Sequence, residues 1–131
     1  MYCNQCEQTA KGIACTVAGV CGKKEDLANI EDVLIYALCG MSLFAHEARQ
    51  KGIIDQDIDR FTMEAIFATL TNVNFDPERF VVLINKVVEL RESLKTRITA
   101  AEGTVDFEHP AALFSPADSV AGLAQQGAEL Q

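Results

Sequence analysis

The residues of this chain whose type and spacing point most directly to chemistry are the cysteines near its beginning. Cys3, Cys6, Cys15 and Cys21 follow the pattern C-x2-C-x8-C-x5-C, and they are four of the five cysteines among the 131 residues. A thiolate is a soft, negatively charged ligand, so four converging thiolates can hold a tetrahedral zinc ion or an iron–sulfur cluster. The pattern therefore predicts a metal or cluster site within residues 1–22.

The spacing of these cysteines favours an iron–sulfur cluster over zinc. Zinc sites usually pair two close C-x2-C or C-x2-H units across a longer spacer, whereas this chain has one such unit. The wider spacers suit a cuboidal cluster, whose four iron corners lie farther apart than four ligands around one ion. Zinc and disulfides remain as alternatives, and spacing alone does not distinguish a [4Fe-4S] from a [2Fe-2S] cluster.

The charge of the chain limits the partners that it could bind. The net charge is −8 and the sequence pI is about 4.6, while 49% of the residues are apolar. This acidic balance argues against nucleic acid and against anionic membranes, both of which attract clusters of Lys and Arg. It is compatible with a positively charged redox partner, with a larger assembly or with a homo-oligomer. The length and apolar content are those of one domain with a core of its own.

The start of the chain has neither the basic nor the apolar region of a signal peptide. No run reaches the roughly 18 uninterrupted apolar residues that indicate a membrane span. These features predict a cytoplasmic protein. Because thiols stay reduced in that compartment, a dense group of cysteines indicates metal binding before it indicates disulfides.

The elements that must position the cysteines begin with a long helix. Residues 23–28 are predicted to be a polar connector, and Asn29 is the predicted N-cap of the first helix. Glu31 and Asp32 follow in its first turn, where acidic side chains complement the helix dipole. Apolar residues then recur at i, i+3, i+4 and i+7 until Gly52, which predicts the helix end.

Two further helices are predicted after the first. The second begins at Asp55 or Asp57 and ends at about Thr71, before the break formed by the sequence NVNF. The third has the clearest start in the chain, because Asp76 can cap it and Pro77 suits its first position. It is predicted to end near residue 101, ahead of a glycine.

The predicted architecture is an all-α, three-helix up-down bundle with an N-terminal cysteine-rich loop and a short C-terminal helix. Residues 1–28 form the iron–sulfur loop and connector, 29–103 form the bundle, and 104–131 form an extended link and the short helix. That helix opens at Ser115-Pro116 and ends near Gly127. The three parts are predicted to make one domain.

The opening run CNQCEQTAKGIACTVAGVCGK resembles the N-terminus of the hybrid cluster proteins, also called prismane proteins or hydroxylamine reductases. The shared features are CxxCEQT, a Lys-Gly pair, a cysteine followed by Thr and Val, and GVCGK. Leu34–Leu38, followed by Gly40, is similar to the LIYALKG segment of that family. The resemblance is specific over residues 1–45, looser through the bundle, and recovers weakly at 109–111 and 114–117.

The resemblance implies that Cys3, Cys6, Cys15 and Cys21 are the ligands of a [4Fe-4S] cubane. In the family that spacing goes with a cubane, and a related subgroup with wider spacings carries [2Fe-2S]. The cubane relays electrons to a second, iron–sulfur–oxygen hybrid cluster, where hydroxylamine or nitric oxide is reduced. An NADH-linked iron–sulfur flavoprotein supplies the electrons in some members.

The chain departs from the family in length. Family members are several times longer, and their hybrid cluster is held by His, Glu and Cys residues of two later domains. Cys39 is the one cysteine after Cys21, and no motif of that second site can be identified. The chain is therefore expected to be an electron-transfer module that acts with the remainder of such a protein or with a second chain. The alternative is a zinc-stabilised helical interaction module without redox activity.

Other residues with chemical potential are predicted to have ordinary structural roles. Cys39 is expected to be a small, buried or half-buried hydrophobe, and His46 and His109 to be surface or structural residues. Lys11 is expected to be a solvated loop lysine, with a positive charge beside the cluster as its alternative role. The acidic residues of two groups are expected to be solvated or to cap helices: Glu25, Asp26, Glu31, Asp32, Asp55, Asp57 and Asp59.

Overall fold

A computed structural model of the protein describes residues 1–70 and 75–131. The elements in these ranges are four α-helices and two short 3-10 helices, with no strand. The α-helices are α1 (Glu25–Gln50), α2 (Gln56–Leu70), α3 (Pro77–Ala100) and α4 (Val120–Glu129), and the 3-10 helices are Ala10–Gly12 and Pro110–Leu113. The prediction of an all-α protein with a cysteine-rich N-terminal loop is confirmed.

The central helix of the bundle is α1, which packs along α3, against α4 and against the 3-10 helix Pro110–Leu113. Gly40 of α1 allows that last contact, because a Cβ at this position would lie 2.0 Å from the carbonyl oxygen of Ala111. Of the described helices, α1 is the one long and apolar enough to match a membrane span. Its apolar window is 67% buried inside the protein, which is the environment of a core helix.

Helix α1 begins at Glu25, so the predicted N-cap at Asn29 is wrong. Lys24 occupies the N-cap position without a side-chain capping bond. Leu27, which lies in the predicted polar connector, is 4% exposed and belongs to the core. Asn29 lies inside the helix, where its Oδ1 accepts a hydrogen bond from Nε2 of Gln131 at 2.8 Å. The burial of Leu27 extends the helix backwards, because packing outweighs the weak local signals at a helix start.

The two helices with aspartate caps begin where the sequence predicts. Oδ1 of Asp55 accepts a hydrogen bond from the backbone N–H of Ile58 at 3.2 Å, ahead of α2. Oδ1 of Asp76 accepts one from the N–H of Glu78 at 3.0 Å, ahead of α3. Both bonds satisfy amides that a helix leaves unpaired at its first turn. The predicted end of the second helix near 71 and the first three residues of its NVNF break lie outside the described residues.

The C-terminal helix α4 differs from its prediction at both ends. It begins at Val120 rather than near Ser115, because Oγ of Ser119 caps it by accepting the N–H of Gly122 at 3.1 Å. It also continues past Gly127. A Cβ at Gly127 would lie 1.9 Å from the carbonyl oxygen of Asn29, so the glycine serves a close approach to α1 rather than a helix end. Helix α4 is therefore part of the core.

Hydrogen bonds between helix ends define the two ends of the bundle. At one end Nζ of Lys23, just before α1, donates to the carbonyl oxygen of Thr69 near the end of α2. At the other, Nη1 of Arg97 near the end of α3 donates to Oδ2 of Asp55, just before α2. Helix α2 thus runs antiparallel to α1 and α3. We call the end with Lys23 and Thr69 the cysteine end, because residues 1–23 lie there. We call the end with Arg97 and Asp55 the far end.

Candidate metal centre

The cysteine loop is folded back on itself by a backbone bridge between its first and third cysteines. The N–H of Cys3 donates to the carbonyl oxygen of Cys15 at 3.1 Å, and the N–H of Cys15 donates to that of Cys3 at 2.8 Å. Between them the 3-10 helix Ala10–Gly12 reverses the chain, with positive φ at Lys11 and Gly12. The long spacer of the cysteine pattern therefore brings Cys3 and Cys15 side by side.

The other two cysteines of the loop each sit in a tight turn. The carbonyl oxygen of Cys6 accepts bonds from both the N–H and the Oγ1 of Thr9, at 3.2 and 2.6 Å. Cys21 lies within a turn that is closed by the N–H of Gly19, which donates to the carbonyl oxygen of Lys23 at 2.8 Å. The four cysteines thus share one loop at the cysteine end.

Backbone amides of the loop point at its sulfur atoms. The N–H of Ala10 donates to Sγ of Cys15 at 3.4 Å. This bond, with a second from the backbone of Val20, holds the pKa of the Cys15 thiol below its ordinary value. Burial raises the pKa of Cys3, and a backbone bond from Gln5 offsets part of that effect. Donors aimed at sulfur stabilise the thiolate form, which is the form that binds metal.

The residues of the loop fit an iron–sulfur group. All five cysteines are free thiols, with Cys15 buried and Cys3, Cys6 and Cys21 half-buried. Across residues 1–70 and 75–131, no three His, Cys, Asp or Glu side chains converge as ligands of a single ion. Four thiols in one loop are the donor set of an iron–sulfur site, and two of them, Cys3 and Cys15, accept the backbone hydrogen bonds that adjust the potential of such sites.

A buried ion pair lies beside the loop, and sequence reasoning missed it. Lys23 is 3% exposed and Glu31 is 0% exposed, and Nζ of Lys23 donates to Oε2 of Glu31. The same Nζ donates to the carbonyl oxygen of Thr69 at 3.2 Å. A signal was present, because Glu31 falls on the same helical stripe as the apolar Leu27 and Leu34. A charged residue on an apolar stripe indicates a buried partner.

The two groups of this pair have opposite responses to burial. Burial raises the pKa of Glu31 to about 7, although the hydrogen bond and charge of Lys23 act against the rise. Burial alone would lower the pKa of Lys23. The hydrogen bond to Glu31 and its charge, followed by the charges of Cys3 and Cys21, raise it above the ordinary value. Lys23 is therefore an ammonium within the electrostatic reach of the cysteine loop.

The remaining predictions about reactive residues have mixed outcomes. The expectation that Glu31 is solvated is wrong, because it lies on the face of α1 that the cysteine end covers. Cys39 is exposed, so its prediction as a buried or half-buried residue is also wrong. Lys11 and His46 are exposed, as expected. His109 has a structural role, since its Nδ1 accepts the N–H of Ala111 at 3.1 Å and caps a 3-10 helix.

The sequence as a whole matches a known family. The model of the Prismane/CO dehydrogenase family matches residues 1–130. The chain belongs to this family. It is 55% identical over 130 residues to a protein named hydroxylamine reductase from Syntrophobacter fumaroxidans. The aligned region covers 99% of this chain and 24% of that protein. Proteins of the same name from Methanocella arvoryzae and Trichormus variabilis are 50% and 40% identical, over 97% and 100% of this chain.

Membership of the Prismane/CO dehydrogenase family confirms the resemblance found in the cysteine loop, and it implies that the chain binds an iron–sulfur cluster. The chain spans about a quarter of the length of the curated relatives that it matches. The match covers the bundle as well as the loop, since it runs over residues 1–130. The sequence of the helices that support the loop is thus also typical of the prismane family.

Proposed function

We propose that this chain is the iron–sulfur electron-transfer part of a hydroxylamine-reductase-type protein, with Cys3, Cys6, Cys15 and Cys21 as ligands of a [4Fe-4S] cubane. The observation that carries the proposal is the fold of the cysteine loop. Its backbone bridge brings Cys3 beside Cys15, and backbone amides donate to the sulfurs of both. These features prepare thiolates for soft metal ions.

A cubane held here would accept and release one electron at a time. The surrounding residues would adjust that exchange. The N–H groups of Ala10 and Val20 stabilise negative charge at Cys15, and the burial of this cysteine keeps water away. Cys3, Cys6 and Cys21 are half-buried, so one side of the loop stays close to the surface for electron exchange.

The proposed destination of the electrons is a catalytic hybrid cluster outside this chain. The relatives named hydroxylamine reductase are about four times as long as the segment that they share with this chain. The hybrid cluster would therefore belong to the remainder of such a protein or to a second chain, and it would reduce hydroxylamine or nitric oxide. The proposed electron donor is an NADH-linked iron–sulfur flavoprotein. Because the ligands must be reduced thiols, the proposed compartment is the cytoplasm.

The test is metal analysis of the chain prepared without oxygen. We expect iron and acid-labile sulfide in equal amounts, about four of each per chain, and broad absorption near ~400 nm from thiolate-to-iron charge transfer. The reduced protein should give an EPR signal. Two irons per chain would indicate [2Fe-2S] instead. Stoichiometric zinc in a colourless protein would refute the proposal and support a structural zinc site.

The ligand assignment is tested by a pair of matched variants. Cys15→Ser removes a buried thiol of the loop, and Cys39→Ser removes an exposed thiol of α1. We expect Cys15→Ser to abolish the cubane and its EPR signal, and Cys39→Ser to keep the iron content of the wild type. Equal iron content in both variants would contradict the assignment of Cys15.

A further inference from the structure

The buried pair of Lys23 and Glu31 has no sufficient explanation in stability. Removing two charges from water costs several kcal/mol for each ion, and apolar residues of the same size often stabilise a core as well or better. Glu31 bears an additional cost, because its Oε1 has no hydrogen-bond partner among the described residues. The structure thus retains a buried cation at the cysteine end at a cost to folding, which suggests that the cation serves the site.

The backbone of Lys23 is part of the turn that carries Cys21. Its carbonyl oxygen accepts the N–H of Gly19 at 2.8 Å, which closes the turn. A Cβ at Gly19 would lie 3.0 Å from Sγ of Cys21 and 3.0 Å from Cβ of Lys23. The sulfur of Cys21 and the side-chain stem of Lys23 therefore flank the same face of Gly19.

The ammonium of Lys23 is held in place by two helices. Oε2 of Glu31 on α1 and the carbonyl oxygen of Thr69 on α2 both accept hydrogen bonds from Nζ. The hydrogen bond to Glu31 and its charge raise the pKa of this ammonium, and the thiolate forms of Cys3 and Cys21 act in the same direction. Lys11 and Lys24, the neighbouring lysines in the sequence, are exposed and screened by water. Lys23 is thus a positive charge that acts on the loop from inside the protein.

We propose that Lys23 raises the reduction potential of the cluster bound by the cysteine loop, and that Glu31 and Thr69 position its ammonium for this role. Reduction adds one electron to the cluster, and no bond is formed or broken. A buried cation nearby stabilises the added negative charge, and it does so strongly because the protein interior screens charge poorly. The inference rests on the proposed function, since it requires a bound cluster.

The test compares two variants that remove one positive charge from adjacent positions. Lys23→Met removes the buried cation, and Lys24→Met removes an exposed one. The midpoint potential of each iron–sulfur-loaded protein is measured by anaerobic redox titration with EPR detection of the reduced cluster. We expect Lys23→Met to lower the reduced-to-oxidised ratio at a given potential at least tenfold, which is about 59 mV for a one-electron couple. Lys24→Met should leave the ratio within about twofold of the wild type.

Two further variants separate charge from structure. Lys23→Arg keeps the charge and should restore most of the wild-type potential. The double variant Lys23→Met/Glu31→Met removes both charges and leaves no unpaired carboxylate in the core, so it should fold even where Lys23→Met does not. Its potential is compared with that of Glu31→Met, which keeps Lys23 without its carboxylate partner. We expect the double variant to have the lower potential of the two. Equal potentials in Glu31→Met and the double variant would overturn the proposal.

The outcomes also distinguish this proposal from the proposed function. A wild-type chain that takes up no iron–sulfur cluster would overturn both. A wild-type chain that holds the cluster, with equal potentials for Lys23→Met and Lys24→Met, would overturn the role of Lys23 alone. Loss of stability in Lys23→Met without a shift in potential would likewise reduce the lysine to a structural residue.

Discussion

Two ion pairs at opposite ends of the bundle, Lys23 with Glu31 and Arg97 with Asp55, differ in their contact with water. At the cysteine end, Lys23 and Glu31 are 3% and 0% exposed. At the far end, the side chains of Arg97 and Asp55 are 40% and 28% exposed. Lys23 also donates to the backbone of α2, and Asp55 caps α2, so each pair includes a residue in contact with that helix. Water can solvate the second pair but not the first.

This difference separates two reasons for an ion pair. The far-end pair has a local reason, since Asp55 also caps α2 and loses little hydration. The pair at the cysteine end gives up hydration and leaves Oε1 of Glu31 without a partner among the described residues. A contribution to stability does not explain this buried pair, whereas its position near Cys3 and Cys21 does. Four predictions follow this contrast from the strongest expected effect to the weakest.

Removing one partner should cost far more at the cysteine end than at the far end. At pH 8, Lys23→Met leaves the carboxylate of Glu31 buried without its cation, and we expect a loss of about 3–5 kcal/mol of unfolding free energy. Arg97→Met should cost about 1 kcal/mol or less. Urea unfolding followed by helical circular dichroism measures both. Equal losses would contradict the contrast between the two ends.

The stability of the protein should fall as pH rises from about 4.5 to about 7. Glu31 has a pKa of about 7 in the folded protein against an ordinary 4.5, and its charged neighbours are Lys23 and Asp32. In this window the folded state holds a proton that the unfolded state has released, so rising pH favours unfolding. The effect is on the order of 3 kcal/mol.

The matched control for this pH dependence is Glu31→Gln, which has no carboxyl group to titrate. Urea midpoints at pH 5, 6, 7 and 8 should fall more steeply for the wild type than for the variant. Parallel curves would show that Glu31 keeps an ordinary pKa in the folded protein.

Two glycines, one at each end, should respond differently to a methyl group. A Cβ at Gly127 would lie 1.9 Å from the backbone oxygen of Asn29, whereas one at Gly103 would meet side-chain atoms alone, with Cγ2 of Ile98 nearest at 2.6 Å. We expect Gly127→Ala to cost about 1–3 kcal/mol, because α4 must move away from α1. Gly103→Ala should cost less than that. Thermal unfolding of the two variants measures these losses. A Gly127→Ala variant as stable as the wild type would argue against the close approach of α4 to α1.

The weakest effect is expected at the far end in acid. Arg97 is the main cause that holds the pKa of Asp55 below its ordinary 3.8. The folded state therefore releases this proton more readily than the unfolded state, and the resulting stability is lost as pH falls below that value. Asp55→Asn should remove this acid-side loss, at a cost of about 1 kcal/mol or less near neutral pH. Unfolding midpoints at pH 3 and pH 6 provide the measurement.

Sequence reasoning succeeded where a signal was local. Asp76 and Pro77 define the start of α3 by their own chemistry, and the structure begins that helix at Pro77. The apolar period of α1 predicted its core face. The cysteine types and spacing indicated the cluster loop, and the family match confirms the resemblance read from that loop. The four cysteines remain proposed ligands.

The same reasoning failed where a distant contact decides the outcome. Asn favours the N-cap position, yet the side-chain oxygen of Asn29 accepts a hydrogen bond from Gln131 at the other end of the chain. Glycine favours helix ends, yet Gly127 lies inside α4 and makes room for α1. Carboxylates are usually solvated, yet Glu31 is buried and accepts a hydrogen bond from the buried Lys23. Each of these contacts depends on tertiary packing that a local pattern cannot indicate.

The close packing of α4 against the first turns of α1 has a consequence for biosynthesis. During translation the four cysteines of the loop leave the ribosome well before the residues of α4 do. The surface that supports them is still incomplete, because Gly127 and Gln131 pack against Asn29 from the last part of this chain. Until those residues emerge, the thiols of the nascent loop are accessible, because the helices that support the loop are not yet fully packed. Insertion of a cluster would therefore follow translation of α4 rather than accompany the synthesis of its own ligands.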